Sequence, residues 1–551
     1  MYITDVLTKT KKGKISHRCI LLRESYRENG KVKNHTLANL THCNPKEVAA
    51  MRLALEYKDD LSIIKSVKDV ELNEGMSVGA VWTVYDVARK LGIEKALGTG
   101  REGKLALWQV IARVIDQGSR LSAVRLAKVH AACDILGIKE GFTEDDLYEN
   151  LTWLSGNQRK IEKRLFKARR GKQKPELFLY DVTSSYFEGT ENHLADWGYN
   201  RDKKKGKKQV VLGLLCDEGG DPVSIEVFKG NTNDFDTFSS QVKKTANEFG
   251  CRQVTFVGDR GMIKAKQISE LKGEEFNYIT AITKPQINKL IKTGVIQMGL
   301  FDEKVCEVES KEVRYILKRN PIRADEIATT REEKKKAVEK TCGKKNDYLG
   351  EHPRAKVEKA IKEVQNKVIN LKLSNWLKVE ADGRTLKLKE DKDALADQAR
   401  LDGCYVIKTD LPKQVDKQIV HDRYKDLAKV EQAFRTSKTA MLEMRPWYVQ
   451  KETSTRAHAL VVMLAYLIAH YLQQAWAAFD VTVEEGLNQL SNLCSTEMVT
   501  KDQGSCNRIP TPGKTSAKLL DAANIRLPKV LPHLGAHVVS RKKLQSRRKR
   551  R

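Results

Sequence analysis

The chain has 551 residues, too many for one compact core, so several domains are expected. Lys plus Arg number 100 against 72 Asp plus Glu, a formal charge of +28 that fits a polyanionic partner and salt-sensitive binding. Ten scattered cysteines without a CxxC pair or zinc-ligand spacing exclude a disulfide framework and point to reduced thiols in the cytosol. Met1-Tyr2-Ile3-Thr4 has no apolar signal core. The most apolar stretch, Ala459 to Leu472, contains His470 and is short for a bilayer, so a buried helix and a soluble, intracellular protein without a membrane partner are expected.

Residues 1–70 read as a basic β-type segment, with Lys9, Lys11, Lys12, Lys14, Lys31 and Lys33. Ser16–Glu24 and Val32–Leu40 predict a hairpin around Glu28-Asn29-Gly30. A DNA-contacting arm and a solvated surface both fit it. Residues 71–170 read as helices and as a DNA-binding domain or a bundle packed on the core. Val81, Val84, Tyr85, Ala88 and Leu91 repeat at helical spacing up to Gly92, and helices follow over Leu105–Asp116 and Leu121–Leu136. Thr143 and Asp146 cap a fourth, running from Glu144 into Trp153.

Residues 171–285 predict an α/β unit. Its strands are Leu177–Tyr180, Val210–Cys216, Val223–Phe228, Val254–Val257 and Tyr278–Ile282, with helices at Phe235–Phe249 and Lys264–Leu271. The order β-β-β-α-β-α-β is that of the first part of a ribonuclease-H-like core. Residues 286–402 read as an insertion: strands Val305–Val308 and Val313–Leu317, a charged helical stretch Arg331–Asn370, and a hairpin around Asp382-Gly383. Residues 403–480 resume the core at Cys404-Tyr405-Val406-Ile407 and carry a helix from Tyr424 to Lys438. Residues 481–551 end in the basic run Arg547-Arg548-Lys549-Arg550-Arg551. The fold class expected is α/β, a ribonuclease-H-like catalytic core interrupted by a β-rich/helical insertion, behind a mainly helical N-terminal domain.

Three carboxylates carry the chemistry. Asp181 and Asp259 each end a short apolar run, and Glu431 lies on the later helix. Acids at strand ends converge on one sheet edge, and a third from a packed helix completes a cage for two divalent cations. Mg²⁺ prefers such hard oxygens, and a pair of ions about 4 Å apart activates a nucleophile and stabilises a leaving oxygen in phosphodiester cleavage. In that scheme Asp181 bridges the ions while Asp259 and Glu431 each hold one side. Taken alone, an Asp after a strand is more often a turn or cap residue, and Glu431 has rivals in Glu443 and Glu452, so the combination carries the reading. Tyr424, Leu427, Glu431 and Lys438 fall on one helix face, so Tyr424 and Lys438 can position phosphates, while Leu427, Val430, Phe434 and Met441 form a core stripe beside them.

Tyr424–x–x–Leu427–x–x–x–Glu431–x6–Lys438 resembles the Tyr-Arg-Glu-Lys signature of insertion-sequence DDE transposases, in the large group related to insertion sequence four. Asp181-Val182-Thr183-Ser184-Ser185-Tyr186-Phe187-Glu188 resembles the segment around that family's first catalytic Asp, and Gly258-Asp259-Arg260-Gly261-Met262 the segment around its second. Phe228-Lys229-Gly230-Asn231-Thr232, with Asp234 and Thr237, matches the stretch between them. Arg445-Pro446-Trp447-Tyr448-Val449, Arg456 and His458 are similar to the segment after the Glu in one subgroup, and the opening from Glu24-Ser25-Tyr26-Arg27 to Leu40 is similar to that subgroup too.

The resemblance implies a cut-and-paste transposase with catalytic, metal-binding Asp181, Asp259 and Glu431. Its implied cofactor is two Mg²⁺ ions, with Mn²⁺ as a substitute. Its implied partners are double-stranded DNA (terminal inverted repeats and target DNA) and a second copy of the chain in a homodimeric synaptic complex. The implied location is the prokaryotic cytoplasm, at the nucleoid. Leu427 stands where the signature has Arg, which leaves Arg423, Lys429 or Arg435 to join Tyr424 and Lys438 at the DNA. The family's β-rich insertion agrees with the long gap from Asp259 to Glu431, and Trp376 is a candidate by location to hold a flipped base, with a core aromatic as the alternative. Three other readings remain: a ribonuclease-H-like nuclease without strand transfer, an inactive, transposase-derived DNA-binding protein, and a basic scaffold protein, which predicts no convergence of the acids.

Overall fold

A computed structural model describes residues 1–9, 15–28, 30–58, 70–171, 175–189, 191–199, 201, 202, 204, 206–260, 262–438, 441–444, 447–500 and 505–541. Lys11, Lys12, Lys14, Asn29, Gly261, Arg445, Pro446 and the terminal basic run lie outside the described residues. The chain divides into two units, Met1–Ser77 with Leu493–Thr511 and Leu527–His533, and the remainder.

In the first unit β1 (Tyr2–Lys9), β2 (Ile15–Glu28) and β3 (Lys31–Asn39) form an antiparallel meander. The expected hairpin is its β2–β3 half, closed at Glu28↔Lys31 beside Gly30, whose φ of 75° is the left-handed conformation a tight turn needs. The first strand was not legible. Helix α1 (Pro45–Glu56) starts from a capping box between Asn44 and Glu47. Strand β4 (Val70–Ser77) pairs with Cys494–Thr500, a strand for which the C-terminal sequence offered no signal.

The second unit opens with helices. α2 (Gly79–Lys90) stops before Gly92, at φ 76°, and α3 (Ile93–Leu97) follows. α4 (Arg101–Ile115) buries Trp108 completely. The single helix expected over 121–136 is two, α5 (Arg120–Val129) and α6 (Ala132–Leu136), because His130 takes an extended conformation. The Thr143–Asp146 capping box is present, and α7 (Glu144–Arg170) runs far past Trp153.

Then come β5 (Leu177–Tyr186), β6 (Gln209–Asp217), β7 (Pro222–Phe228), α8 (Asp234–Asn247), β8 (Thr255–Gly258), α9 (Ala265–Gly273), β9 (Asn277–Ala281) and α10 (Lys284–Lys292). β5, β6 and β7 form an antiparallel meander, while β8 and β9 add in parallel on the other side of β5. The crossovers through α8 and α9 are what parallel neighbours require. Phe178, Tyr180 and Val182 of β5 pack with Phe238, Val242, Phe256 and Leu271 into one core. On the edge at β7, buried Lys244 joins α8 to α7 and β7 through Glu162 (2.9 Å), Ser224 (2.8 Å) and Glu226 (2.6 Å).

Strands β10 (Cys306–Ser310) and β11 (Val313–Arg319) fall in the stretch expected to be an insertion, yet they extend the main sheet, whose order is β10-β11-β14-β9-β8-β5-β6-β7 with β14 at Cys404–Thr409. The separate piece comprises α11 (Pro321–Glu351), α12 (Val357–Asn370), the hairpin β12–β13 (Leu377–Asp382, Thr385–Glu390) and α13 (Lys392–Ala399). It is mainly helical rather than β-rich. Its core gathers Val338, Cys342, Val364, Val368, Leu377 and Trp376, the last 1% exposed. A flipped base has no access to Trp376 in this arrangement. After α14 (Lys417–Lys425) and α15 (Leu427–Lys438), α16 (Glu452–Ala475) is long and apolar enough to cross a membrane by length and composition, but 83% of that window is buried, against α4, α7 and β7.

Replacing Trp376 with Ala is expected to cost the insertion about 3–5 kcal/mol, seen as a lower denaturant midpoint. A Trp376→Ala protein as stable as the parent, but defective on DNA, would return Trp376 to a base-holding role.

Candidate active site

The parallel pairing of β5 with β8 runs Leu177↔Thr255 to Tyr180↔Gly258 and then stops. The next residue on each strand is an acid, Asp181 and Asp259. Neighbouring strands lie about 4.8 Å apart, so this register sets the two acids side by side. Asp181 does not end its strand as expected: pairing with β6 carries β5 on to Tyr186. Side chains alternate along a strand, so Asp181 and Thr183 face away from the Tyr180 and Val182 core. That is the face on which α15 packs, bringing Glu431 to the same cleft of about 710 Å³ as Asp181 and Asp259.

Asp259 and Glu431 are exposed in this cleft, whereas Asp181 is only partly so. Burial pushes the Asp181 carboxyl up to about 7; the Val182 N–H and Arg201 oppose this, and the charges of Asp259 and Glu431 add to it. The Asp259 carboxylate accepts from its neighbour Arg260 N–H (2.7 Å) and the Tyr424 hydroxyl (3.2 Å). A carboxylate desolvated by burial beside two others is a hard-oxygen set, the chemistry a divalent cation fits. Among the described residues no three His, Cys, Asp or Glu side chains stand close enough to grip one ion. The donor types fit a metal, and the carboxylates share a cleft without forming a closed coordination set.

The helix expected from Tyr424 to Lys438 is broken at Asp426 into α14 and α15. The Asp426 carboxylate engages Lys429 (3.0 Å) and Arg423 (3.6 Å), and Lys429 also donates to the Glu218 carbonyl (3.1 Å). Neither cation lines the cleft. Arg435 does, with Tyr424, Leu427 and Lys438. Lys438 is 8% exposed and turned inward: its ammonium donates to Thr183 Oγ1 (2.6 Å) and the Ser184 carbonyl, with Asp202 at 3.4 Å. It ties α15 to β5 two residues beyond Asp181.

Four charged lining residues were not singled out from sequence for a role here: Arg201, Asp234, Arg260 and Lys425. Arg260 and Lys425 were discoverable as neighbours of Asp259 and Tyr424. Arg201 had no such signal, because it arrives from the β5–β6 connection, where it pairs with Asp234 at 2.5 Å.

Residues 172–468 match the family model described as "Transposase DDE domain", and residues 6–64 match "IS1634 family transposase, N-terminal domain". No curated protein matches the chain. Among solved structures it is similar to "Cryo-EM structure of piggyBac transposase synaptic complex with hairpin DNA", at 10% identity and a TM-score of 0.33, over 81% of this chain and 75% of that one. It is also similar to "Mos1 transposase paired-end complex with left transposon end", at 11% identity and a TM-score of 0.14, over 33% of this chain and 58% of that one. Neither score is high enough to bear on the fold. The 172–468 match takes in more than half of the chain and all three acids, and the chain therefore belongs to the DDE transposases: it is a DNA transposase of the insertion-sequence kind, an enzyme of DNA cleavage and strand transfer.

Proposed function

We propose that this transposase excises and reinserts an insertion sequence by cut-and-paste, using Asp181, Asp259 and Glu431 as the catalytic, metal-binding acids of a ribonuclease-H-like core. The observation that carries the reading is the meeting of these three acids, distant in sequence, in one cleft. Its place in the group related to insertion sequence four is supported by the Tyr424-to-Lys438 pattern, with Leu427 in place of the signature's Arg. Its substrates are the terminal inverted repeats and target DNA, bound by a homodimer that pairs two ends in the prokaryotic cytoplasm.

Asp181, Asp259 and Glu431 would hold two Mg²⁺ ions, or Mn²⁺, which when bound activate the attacking oxygen and stabilise the leaving one. Asp181 must give up its proton to serve, and burial makes that loss harder than for an ordinary carboxylate. Tyr424 holds Asp259 in place by donating to it. Arg201, Arg260, Lys425 and Arg435 line the cleft with positive charge, suited to the phosphates of the strand being cut. Arg435 is the best placed of the three cations to supply the lost signature contact: it alone of Arg423, Lys429 and Arg435 lines the cleft. Lys438 acts by fixing the Glu431 helix against the Asp181 strand.

Asp181→Asn, Asp259→Asn and Glu431→Gln should each lower Mg²⁺-dependent cleavage of element ends by about a thousandfold while end binding stays within a few-fold. A variant that cuts at the parental rate removes that acid from catalysis.

A stability measurement tests Asp181 separately. Its carboxyl is raised above the unfolded value, so the native state favours the protonated form. The resulting penalty is absent below the unfolded pKa near 3.8, grows as pH rises, and is complete above about 7. Asp181→Asn should therefore raise the metal-free Tm by a few degrees at pH 8 and by almost nothing at pH 4. Mg²⁺ should stabilise the parent more than the variant. Equal Tm values at pH 8, with equal Mg²⁺ shifts, would contradict the assignment.

A further inference from the structure

The connection from β5 to β6, residues 187–208, displays two large aromatic side chains to solvent. Trp197 is 59% exposed and Tyr199 84%, whereas Trp108, Trp376, Trp447 and Trp476 are each at most 1% exposed. These rings are not on a loose loop. Asp196 and Gln209 exchange both backbone hydrogen bonds at 3.0 Å, and the Gly230 N–H donates to the Leu194 carbonyl at 3.0 Å. Gly198 fits so closely that a Cβ there would lie 2.2 Å from the Gly230 carbonyl oxygen. Beyond Tyr199, the Arg201 N–H donates to Ser184 Oγ at 2.8 Å and its guanidinium lines the catalytic cleft.

On the near side, Asn192 Nδ2 donates to the Val449 carbonyl at 2.7 Å, and the His193 N–H donates to the Gln450 carbonyl at 3.1 Å. The segment so joined carries a third displayed ring, Tyr448, at 81% exposure. The connection continues through the basic residues Arg201, Lys204, Lys207 and Lys208, of which Lys207 pairs with Glu188 at 2.8 Å; Lys203 and Lys205 of the same run lie outside the described residues.

We infer that this connection is a platform on which unpaired bases of the DNA strand leaving the catalytic cleft stack, Trp197 and Tyr199 supplying the ring faces and the basic run the phosphate contacts. Exposed aromatics followed by cations, continuous with a cleft for a phosphodiester, are the features that bind single strands with little sequence preference. Anchoring at Gly198 and Arg201 presents the rings in place, so little freedom is lost on binding. A protein partner would find the rings equally available, but the lysines beside them favour a polyanion. The inference takes DNA as the partner from the transposase assignment and the neighbouring cleft from the proposed function, while its metal-free binding test does not depend on the roles of the three acids.

The test uses the full chain in EDTA, so that metal and catalysis play no part, with a (dT)20 strand and a mixed-sequence 20-base-pair duplex as probes. The double variant Trp197→Ala/Tyr199→Ala should bind (dT)20 about tenfold or more weaker and the duplex within about twofold, with an unchanged Tm; Trp197→Phe should keep most of the single-strand affinity. Unchanged (dT)20 binding, an equal loss on both probes, or no measurable (dT)20 binding by the parent would overturn the inference. So would a change in sedimentation in place of a change in affinity, which would make a second copy of the chain the occupant. Cleavage by the acid variants is read in a separate Mg²⁺ assay, so either idea can fail while the other stands.

Discussion

The site depends on one register. Parallel pairing aligns Tyr180 with Gly258, so the next residues, Asp181 and Asp259, leave neighbouring strands at the same level. A slip by one residue would turn Asp181 into the Phe238 core and bring Tyr180 out in its place. The register is well defended. Below the acids, Phe178, Tyr180 and Phe256 are fully buried among Phe238 and Phe276, and antiparallel pairing from Asp217 to Gln209 holds β5 along its whole length. The level of the two aspartates is thus the first step beyond a packed core, where one strand ends and the other continues.

Charge then works against the fold at this point and for it elsewhere. Asp181 is desolvated beside two other carboxylates, an arrangement that disfavours its ionised form and that a cation would relieve. Lys438 supplies a buried positive charge close by but directs it to Thr183, Ser184 and Asp202, which locks α15 to β5. Lys244, at the far edge of the same sheet, is buried against Glu162 and the partly exposed Glu226 and joins α7, β7 and α8. Removing one partner from such a group leaves an uncompensated buried charge, which makes these lysines structural fixtures rather than surface cations.

Much of this was legible in the sequence. The core strands and helices followed from apolar runs and periodicity, the start of the long helix after Thr143 from its cap, and the two hairpin turns from Gly30 and Gly383. The features that escaped were set by long-range contacts. The extension of β5 past Asp181 depends on β6. The membership of β10 and β11 in the main sheet depends on pairing with β14, which is remote along the chain. The break at Asp426 divides a pattern that reads as one amphipathic helix, because the stripe continues across it. Leu427 left three cations as substitutes for the missing Arg, and only the fold separates Arg435 from Arg423 and Lys429. The inward turn of Lys438 was invisible for the same reason: spacing puts a residue on a helix face, and the packing partner decides whether that face meets solvent.

The catalysis proposed for the cleft beside β5 and β8 requires that the three acids share metal ions there. Crystals grown with Mn²⁺, with diffraction measured at the manganese absorption edge, test it most directly. Anomalous peaks lying between Asp181, Asp259 and Glu431, with the carboxylates drawn in as ligands, are the predicted result. Ordered Mn²⁺ bound elsewhere, with the three carboxylates standing apart and unliganded, would contradict it.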